Sequence, residues 1–372
     1  MSTTADDISY RSLPILGGYL SVCAGLAGYI VYSLYGRLRY LRQHGEKREE
    51  HRYIPLFAAL AILSFGATWY HMFSFFAYSY RDWACRTGFL GSVSLTARDL
   101  ELWLRDTKLF QEAWGAVVES PWRFWWSEQI FLWTVGWSLF LGISGRRNGI
   151  PHLWTYMLLG QIVAISFAMN LFYLAVLLYR PVRADKGPSP HVWTYSIAVE
   201  LLPLAISLFI TAVVPSTLTT PYFLIILLVP HVVLFIPATV NPEYAPKWLR
   251  SLHYSAEAAS RWYISIFWIL SAVSSLLLSF STFSALADNS LSPLRRARDT
   301  CAFERSGESS GNPWERSLAT IFEHPAVSSV SWDAIFCAVS FASWAAVHSF
   351  YVRDMVWGPM ETPSRDDKPK QR

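Results

Sequence analysis

The chain has 372 residues, of which 53% are hydrophobic and 16% are charged. A soluble domain of this length carries about a quarter charged residues, so the composition excludes an ordinary soluble enzyme and predicts a polytopic protein embedded in a lipid bilayer. The net charge of +4 is small and dispersed, and it indicates no nucleic-acid partner.

Eight segments are long and apolar enough to cross the bilayer, which takes about 20 apolar residues. In chain order they are 14–36, 54–79, 124–144, 152–180, 191–213, 220–240, 262–283 and 332–352. Trp and Tyr crowd their boundaries, as is typical of interfacial residues. We therefore predict an all-α membrane bundle of about eight transmembrane helices, in one domain over residues 1–360.

Three segments outside these spans are predicted to have other structures. Residues 97–119 carry apolar side chains at helical spacing with charges mostly on the other side, which predicts an amphipathic helix that lies on the membrane surface or caps a cavity. Its pairs Glu101/Arg105 and Lys108/Glu112 have the spacing that stabilises a helix. Residues 284–331 are rich in Ser, Pro and charge and are predicted to form a flexible loop. The tail 361–372 is predicted to be disordered.

Polar side chains in or beside the spans are the main indication of function. They are His71, Glu128, Asn170, Glu200, His231, Glu257 and His348. Alternating topology would place all of them towards one face of the membrane, with the amphipathic helix on the same face. Gln161 and Asp333 are the exceptions. This distribution predicts one polar pocket that opens to one side of the bundle.

Glu200 is the most informative of these residues, because it lies within the apolar run SIAVELLPLAISLFI. A charge at the bilayer centre costs about 2.5–3.5 kcal/mol on insertion scales. The others have structural alternatives: His71 and Asn170 could hydrogen-bond between helices, and Glu128 could lie among the headgroups. Asp106 and Glu112 could be the solvated face of the amphipathic helix.

The motifs that the chain lacks narrow the chemistry. It has no histidine box of a diiron enzyme, no HExxH zinc site, no DDxxD or NDxxxD run that binds magnesium for diphosphate ionisation, and no dinucleotide-binding glycine motif. We therefore predict no metal or redox cofactor. Carboxyl groups in a water-poor cavity tend to stay protonated and can protonate an epoxide or alkene. Aromatic faces can then stabilise a migrating carbocation.

Three stretches resemble a family of fungal membrane-bound terpene cyclases of meroterpenoid biosynthesis, of the ascochlorin, ascofuranone and macrophorin type. They are WTVGWSLFLGISGRRNGIPHLWTYMLLGQIVAISFAMNLFYLAVLL (133–178), TWYHMFSFFAYSYRDWA (68–84) and LRDTKLFQEAW (104–114). The resemblance implies acid-initiated cyclisation of a prenylated aromatic or epoxy-farnesyl substrate in the endoplasmic reticulum, without a cofactor. It also implies a pathway prenyltransferase and monooxygenase as functional neighbours. Among carboxylates it favours Asp82, Asp106, Glu112 and Glu128.

The resulting hypothesis gives each candidate residue a role. Glu200 or Asp106 would donate the proton to a terminal epoxide or alkene, and Glu128 or Glu112 would receive the final proton. The predicted substrate-binding residues are Asn170, Tyr173, His71, Trp69, Trp193, His231 and Glu257. Two other classes stay open: a proton-coupled small-molecule transporter using Glu200 and His231, and a scaffold protein with satisfied interhelical pairs.

Overall fold

The fold is a helical bundle with one small β-ribbon. The computed structural model describes residues 12–46, 48–88, 96–179, 193–288 and 312–357. The helices are α1 (Ser12–Gln43), α2 (Ile54–Arg86), α3 (Ala97–Asp106), α4 (Leu109–Val118), α5 (Pro121–Asn148), α6 (Leu153–Ile162), α7 (Ile165–Leu178), α8 (Leu202–Thr217), α9 (Phe223–Val233), α10 (Phe235–Thr239), α11 (Ala256–Ala287), α12 (Pro313–Thr320), α13 (Pro325–Val347) and α14 (Val352–Trp357). Strands β1 (Trp193–Tyr195) and β2 (Ser251–His253) pair antiparallel.

Within the described ranges, five helical segments are long and apolar enough to cross a membrane. They are Leu13–Gln43, Glu49–Arg86, Ile197–Thr217, Ala256–Ala287 and Pro325–Val347. The chain is therefore an all-α integral membrane protein, as its composition predicts. The predicted count of eight spans is not confirmed, because α5 is not among these five segments and Ile165–Leu178 and Phe223–Thr239 are shorter apolar segments.

The predicted fourth span, 152–180, is not one helix. Helix α6 ends at Ile162, the backbone of Ala164 is extended, and α7 begins at Ile165. The freed amides of Ile165 and Ser166 donate to the carboxylate of Asp333 in α13, at 3.1 and 2.9 Å. A carboxylate from a neighbouring helix thus replaces the hydrogen bonds that a continuous helix would supply.

Two more predicted helices are also interrupted. The sixth span divides between α9 and α10 at Leu234. Pro237 in α10 has no amide to donate to the carbonyl of Val233, four residues earlier, which is where α9 ends. The amphipathic segment 97–119 divides into α3 and α4, because Thr107 takes an extended conformation. Helix α3 begins where predicted, and Thr96 with Asp99 forms a capping box there.

The prediction of a flexible loop over 284–331 was wrong at both ends. Helix α11 continues to Ala287, α12 occupies 313–320 and α13 begins at Pro325. Asn312 and His324 each cap a following helix that has Pro in its first turn, a start signal that the Ser-rich composition obscured. Residues 289–311 and the predicted disordered tail 361–372 lie outside the described residues.

Helices α5 and α7 form the centre of the bundle, and α2, α11 and α13 pack around them. An aromatic cluster joins α2, α7 and α13, in which the rings of Tyr173 and Trp344 stack in parallel at 4.5 Å and Phe57 packs against both. Helix α1 lies at the outside and is exposed along most of its length. The centre of the bundle is therefore buried, and α1 covers one flank of it.

Candidate active-site cavity

A cavity of about 550 Å³ lies between α2, α4, α5, α8, α9 and α13. Its wall is mostly apolar and rich in aromatic rings, from Phe75, Phe76, Phe110, Trp114 and Phe131. The ring of Trp114 stacks on that of Phe131 with 5.8 Å between centroids. This volume lies within the range of about 300–1,000 Å³ that is usual for small-molecule sites.

Asp333 is the carboxylate that lines this cavity. It is buried, and its Oδ1 accepts hydrogen bonds from the backbone amide and the hydroxyl of Ser166, while Oδ2 accepts from the amide of Ile165. Three donors and the positive end of α7 stabilise the ionised form of this carboxyl, whereas its burial opposes ionisation. Asp333 therefore places a hydrogen-bonded carboxyl group in the wall of an otherwise apolar space.

His231 lines the same cavity from α9. Its Nδ1 lies 3.0 Å from the carbonyl oxygen of Leu227, one turn earlier, and its ring meets Trp114 edge to face at 5.7 Å. A hydrogen bond from Nδ1–H to this carbonyl leaves Nε2 as the nitrogen that can take up and release a proton.

Two other polar atoms of the lining have no hydrogen-bond partner among the residues that the structure describes. The amide nitrogen Nε2 of Gln161 and the hydroxyl of Thr68 are both buried. Because unpaired buried polar groups are costly, they are suited to bind a polar atom of a ligand.

Both helix breaks border the cavity. Residues 162–165, between α6 and α7, and residues 234–235, between α9 and α10, contribute to its wall. Irregular backbone at membrane depth is tolerated where it lines a cavity or is buried in protein. The arrangement is thus a chamber between helices with an apolar wall and a few polar groups.

Glu200 lies elsewhere, in a π-helical turn over Ile197–Leu201 that precedes α8. The side chain is 1% exposed, and Oε1 accepts from Nη2 of Arg146 at 2.9 Å and from the hydroxyl of Tyr263 at 2.8 Å. Paired with a guanidinium, Glu200 is a carboxylate that joins α5, α8 and α11. It is absent from the lining of the large cavity, so this structure gives it no access to the predicted substrate as a proton donor.

Glu128 borders a second cavity, of about 400 Å³, between α5, α8 and α11. It is buried and accepts a hydrogen bond from the hydroxyl of Ser281. This corrects the alternative that it lies among the headgroups as an exposed side chain. Neither Glu128 nor Ser281 lines the large cavity.

The two interfacial carboxylates do not reach the large cavity either. Asp106 is exposed; its hydrogen bonds from Arg105 at 2.8 Å and from the Trp83 indole lower the pKa of its carboxyl, so it is ionised at neutral pH. Glu112 accepts from the backbone amide of Lys108 at the start of α4. The structure therefore corrects Asp106 as a proton donor, and Arg105 pairs with Asp106 rather than with Glu101.

The predicted substrate-binding residues are also dispersed. Asn170 is fully buried and donates to Ser340 and to the Ser166 carbonyl, so it joins α7 to α13. Tyr173 belongs to the aromatic cluster. Glu257 is exposed and pairs with Arg261.

The remaining predicted positions lie on α2 and on the ribbon. Trp69 packs on Phe65 and Phe73, while the cavity is lined by its neighbour Thr68 rather than by Trp69 or His71. Trp193 lies in β1, opposite His253. Of the ten residues in the hypothesis whose side chains the structure describes, His231 is therefore the one that lines the large cavity, and these ten do not share a single pocket.

Asp333 and Gln161, which the sequence sets apart as exceptions, form the polar part of the cavity with His231. They were missed because nothing in the local sequence marks the break between α6 and α7 near residue 163, where there is no proline and the surrounding run is apolar. Comparisons of the chain with protein-family models, with curated proteins and with solved structures found no match.

Proposed function

We propose that the chain is a membrane-bound terpene cyclase that acts on the prenyl chain of a meroterpenoid precursor, a prenylated aromatic or epoxy-farnesyl compound. The observation that carries the proposal is the large cavity itself. It combines an aromatic, lipid-shielded wall with His231, Asp333 and two unpartnered polar atoms. An isoprenoid chain needs such an apolar space, and its cyclisation needs one acid and a site that tolerates positive charge.

In the proposed reaction, protonated His231 donates from Nε2 to a terminal epoxide oxygen or alkene. For the epoxide, the carbon–oxygen bond breaks, the oxygen becomes a hydroxyl and a tertiary carbocation forms. Gln161 or Thr68 is placed to bind the polar oxygen. Internal double bonds then attack the cation and close the rings, and loss of one proton completes an isomerisation without net redox change.

The charge distribution of the cavity suits the cationic intermediate. Asp333 provides a fixed negative charge, and Trp114 and Phe131 offer ring faces to a cation. A preorganised field of this kind stabilises developing charge without solvent reorganisation. Because both oxygens of Asp333 already accept hydrogen bonds from Ile165 and Ser166, its role in the proposal is electrostatic, and the final proton returns to His231.

Product formation from an epoxyfarnesyl phenol in microsomes tests the proposal. We expect His231→Gln to reduce the rate at least about 100-fold, the low end of the usual contribution of general acid catalysis. His71→Gln is the matched control, because it changes the same residue type on an apolar helix outside the cavity, and it should retain activity. Wild-type turnover in His231→Gln would refute this assignment.

Asp333→Asn gives a second measurement. It retains the shape of the side chain but removes the charge, so we expect slower cyclisation in protein that still runs as a monodisperse species. Glu128→Gln and Asp106→Asn should form product at close to the wild-type rate, because neither carboxylate lines the cavity. Loss of product in these two variants with full activity in Asp333→Asn would favour the original sequence hypothesis.

The finer architecture and context belong to the same proposal. Helix α5 and the interrupted pairs α6–α7 and α9–α10 would complete a domain of about eight membrane crossings. The enzyme would lie in the endoplasmic reticulum, require no cofactor, and receive its substrate from a prenyltransferase and an epoxidising monooxygenase.

A small-molecule carrier is the second candidate, and the two helix breaks favour it. Discontinuous helices that meet at a cavity are characteristic of secondary transporters, where half-helix ends face the substrate. Purified protein in liposomes separates the two functions: a carrier moves the prenylated phenol unchanged and in response to a proton gradient, whereas a cyclase converts it without a gradient.

A further inference from the structure

Two arginines without an acidic partner lie at the end of the bundle where α5 stops and α14 packs. They are Arg147, in the last turn of α5, and Arg353, in α14. The adjacent Arg146 is neutralised by Glu200, whereas in the described part of the chain neither Arg147 nor Arg353 forms an ion pair.

Both side chains are half-buried, and three of their guanidinium nitrogens are fully buried. Within the described residues, Nη1 of Arg147 and both Nε and Nη2 of Arg353 have no hydrogen-bond partner. Leaving a buried donor unpaired costs about 1–3 kcal/mol, and more when the group is charged. Native structures rarely accept this cost, so several such atoms together indicate an anion that binds between them.

The backbone fixes the two side chains in place. Ser349 and Phe350 both have positive φ, at 52° and 59°, and this unusual turn reverses the chain after α13 so that α14 returns to α5. The hydroxyl of Ser144 donates to the carbonyl of Val356 at 3.3 Å and joins the two helices. Arg147 and Arg353 therefore lie on two helices, α5 and α14, that the turn and this hydrogen bond hold together.

An aromatic ring and two charged side chains lie near the guanidinium of Arg147. The guanidinium of Arg147 lies 5.0 Å above the ring centre of Trp357. Burial, together with the nearby charge of Arg353, lowers the pKa of Arg147 to about 10, and the carboxylate of Asp354 acts in the opposite direction. Arg147 therefore stays protonated at neutral pH, and the single carboxylate of Asp354 does not balance two guanidinium groups.

We propose that Arg147 and Arg353 form a binding site for a phosphoryl anion, provided by the headgroup of an anionic lipid or by free phosphate. Planar guanidinium forks bind phosphate oxygens in pairs, which a single ammonium cannot do. Phe350 and Tyr351, beside α14, are 70% and 58% exposed. Exposed aromatic side chains are typical of headgroup depth in the membrane, where such a lipid would be available.

Thermal unfolding of the purified full-length protein in a neutral detergent tests this site. Three additions are compared at constant ionic strength: short-chain phosphatidic acid, short-chain phosphatidylcholine and inorganic phosphate. We expect phosphatidic acid to raise the Tm in a saturable manner, phosphatidylcholine to have little effect, and the Arg147→Gln/Arg353→Gln double variant to lose the response. Arg261→Gln is the matched control, because Arg261 is exposed and already paired with Glu257.

The outcomes distinguish the sources of the anion. A response to phosphatidic acid alone assigns a lipid headgroup, and a response to phosphate as well assigns the phosphoryl group itself. Absence of any response in the wild type, or an equal response in the double variant, overturns the proposal. Without ligand, the double variant should be at least as stable as the wild type, since it removes two unpaired buried charges. If it does not fold, Arg353→Lys decides: we expect at least threefold weaker binding, and wild-type affinity would refute the site.

Discussion

The ion pair between Arg146 and Glu200 gives the sharpest test of how the structure places the buried carboxylate. The side chain of Glu200 is 1% exposed and that of Arg146 is 17% exposed, and Tyr263 also donates to the same carboxylate oxygen. Arg146→Met strands a buried negative charge, which costs about 3–5 kcal/mol. Glu200→Gln leaves a guanidinium that still reaches water, so we expect a smaller loss of about 1–3 kcal/mol. The double variant carries neither charge. Its loss of stability should therefore be about 2–3 kcal/mol smaller than the sum of the two single losses, and this difference is the coupling energy.

Equilibrium unfolding in mixed micelles measures this double-mutant cycle. The control is the same cycle on Arg261 and Glu257, whose atoms lie 3.3 Å apart but whose side chains are 73% and 65% exposed. An exposed helical pair of this kind contributes about 0.3–0.5 kcal/mol. If the coupling between Arg146 and Glu200 is no larger than in this control, the assignment of Glu200 as a buried ion-paired carboxylate is incorrect.

Two further predictions concern packing and pH. A Cβ at Gly142 would lie 2.0 Å from the carbonyl oxygen of Pro237, so Gly142→Ala should lower the free energy of unfolding by about 1–3 kcal/mol. Gly136→Ala is the control, because a Cβ at Gly136 meets open space and should not lower this free energy. Equal losses in the two variants would contradict the close packing at Gly142. Burial lowers the pKa of His253 below its usual 6.5, so the folded ribbon prefers the neutral ring and its stability should fall as the pH drops below 6.5. The protection of the amides of residues 251–253 against hydrogen exchange, measured relative to the unfolded chain at the same pH, should therefore fall in mild acid in the wild type but not in His253→Phe. Protection that is independent of pH in both proteins would contradict this prediction.

Much of the bundle follows from apolar length and helix-start signals. The first, second, fifth, seventh and eighth predicted spans each correspond to a helix that is long and apolar enough to cross a membrane. Interruptions were missed where no local signal marks them. The break at Ala164 depends on Asp333, which lies more than 160 residues further along the chain, so no window of sequence around residue 164 could reveal it.

The site was harder to predict than the fold, because position along a span does not determine which way a side chain faces. Glu200 and His231 both lie in apolar runs, yet one pairs with Arg146 and the other lines the cavity. The alternating-topology argument also assumed continuous spans. Once the fourth and sixth spans divide, Gln161 and Asp333, which that argument set apart from the predicted pocket, line the same cavity as His231.

Tyr19 brings the outermost helix into the wall of the large cavity: it lines that space, and its hydroxyl donates to the Ile162 carbonyl at the end of α6. Since most of α1 faces the surroundings rather than the protein, a hydrophobic molecule dissolved in the bilayer lies one helix away from the chamber. Occupancy of such a chamber depends on the mole fraction of substrate among the lipids and not on its aqueous concentration. An apparent KM quoted per volume of buffer would therefore rise as more lipid is added at a fixed amount of substrate, although the protein itself is unchanged.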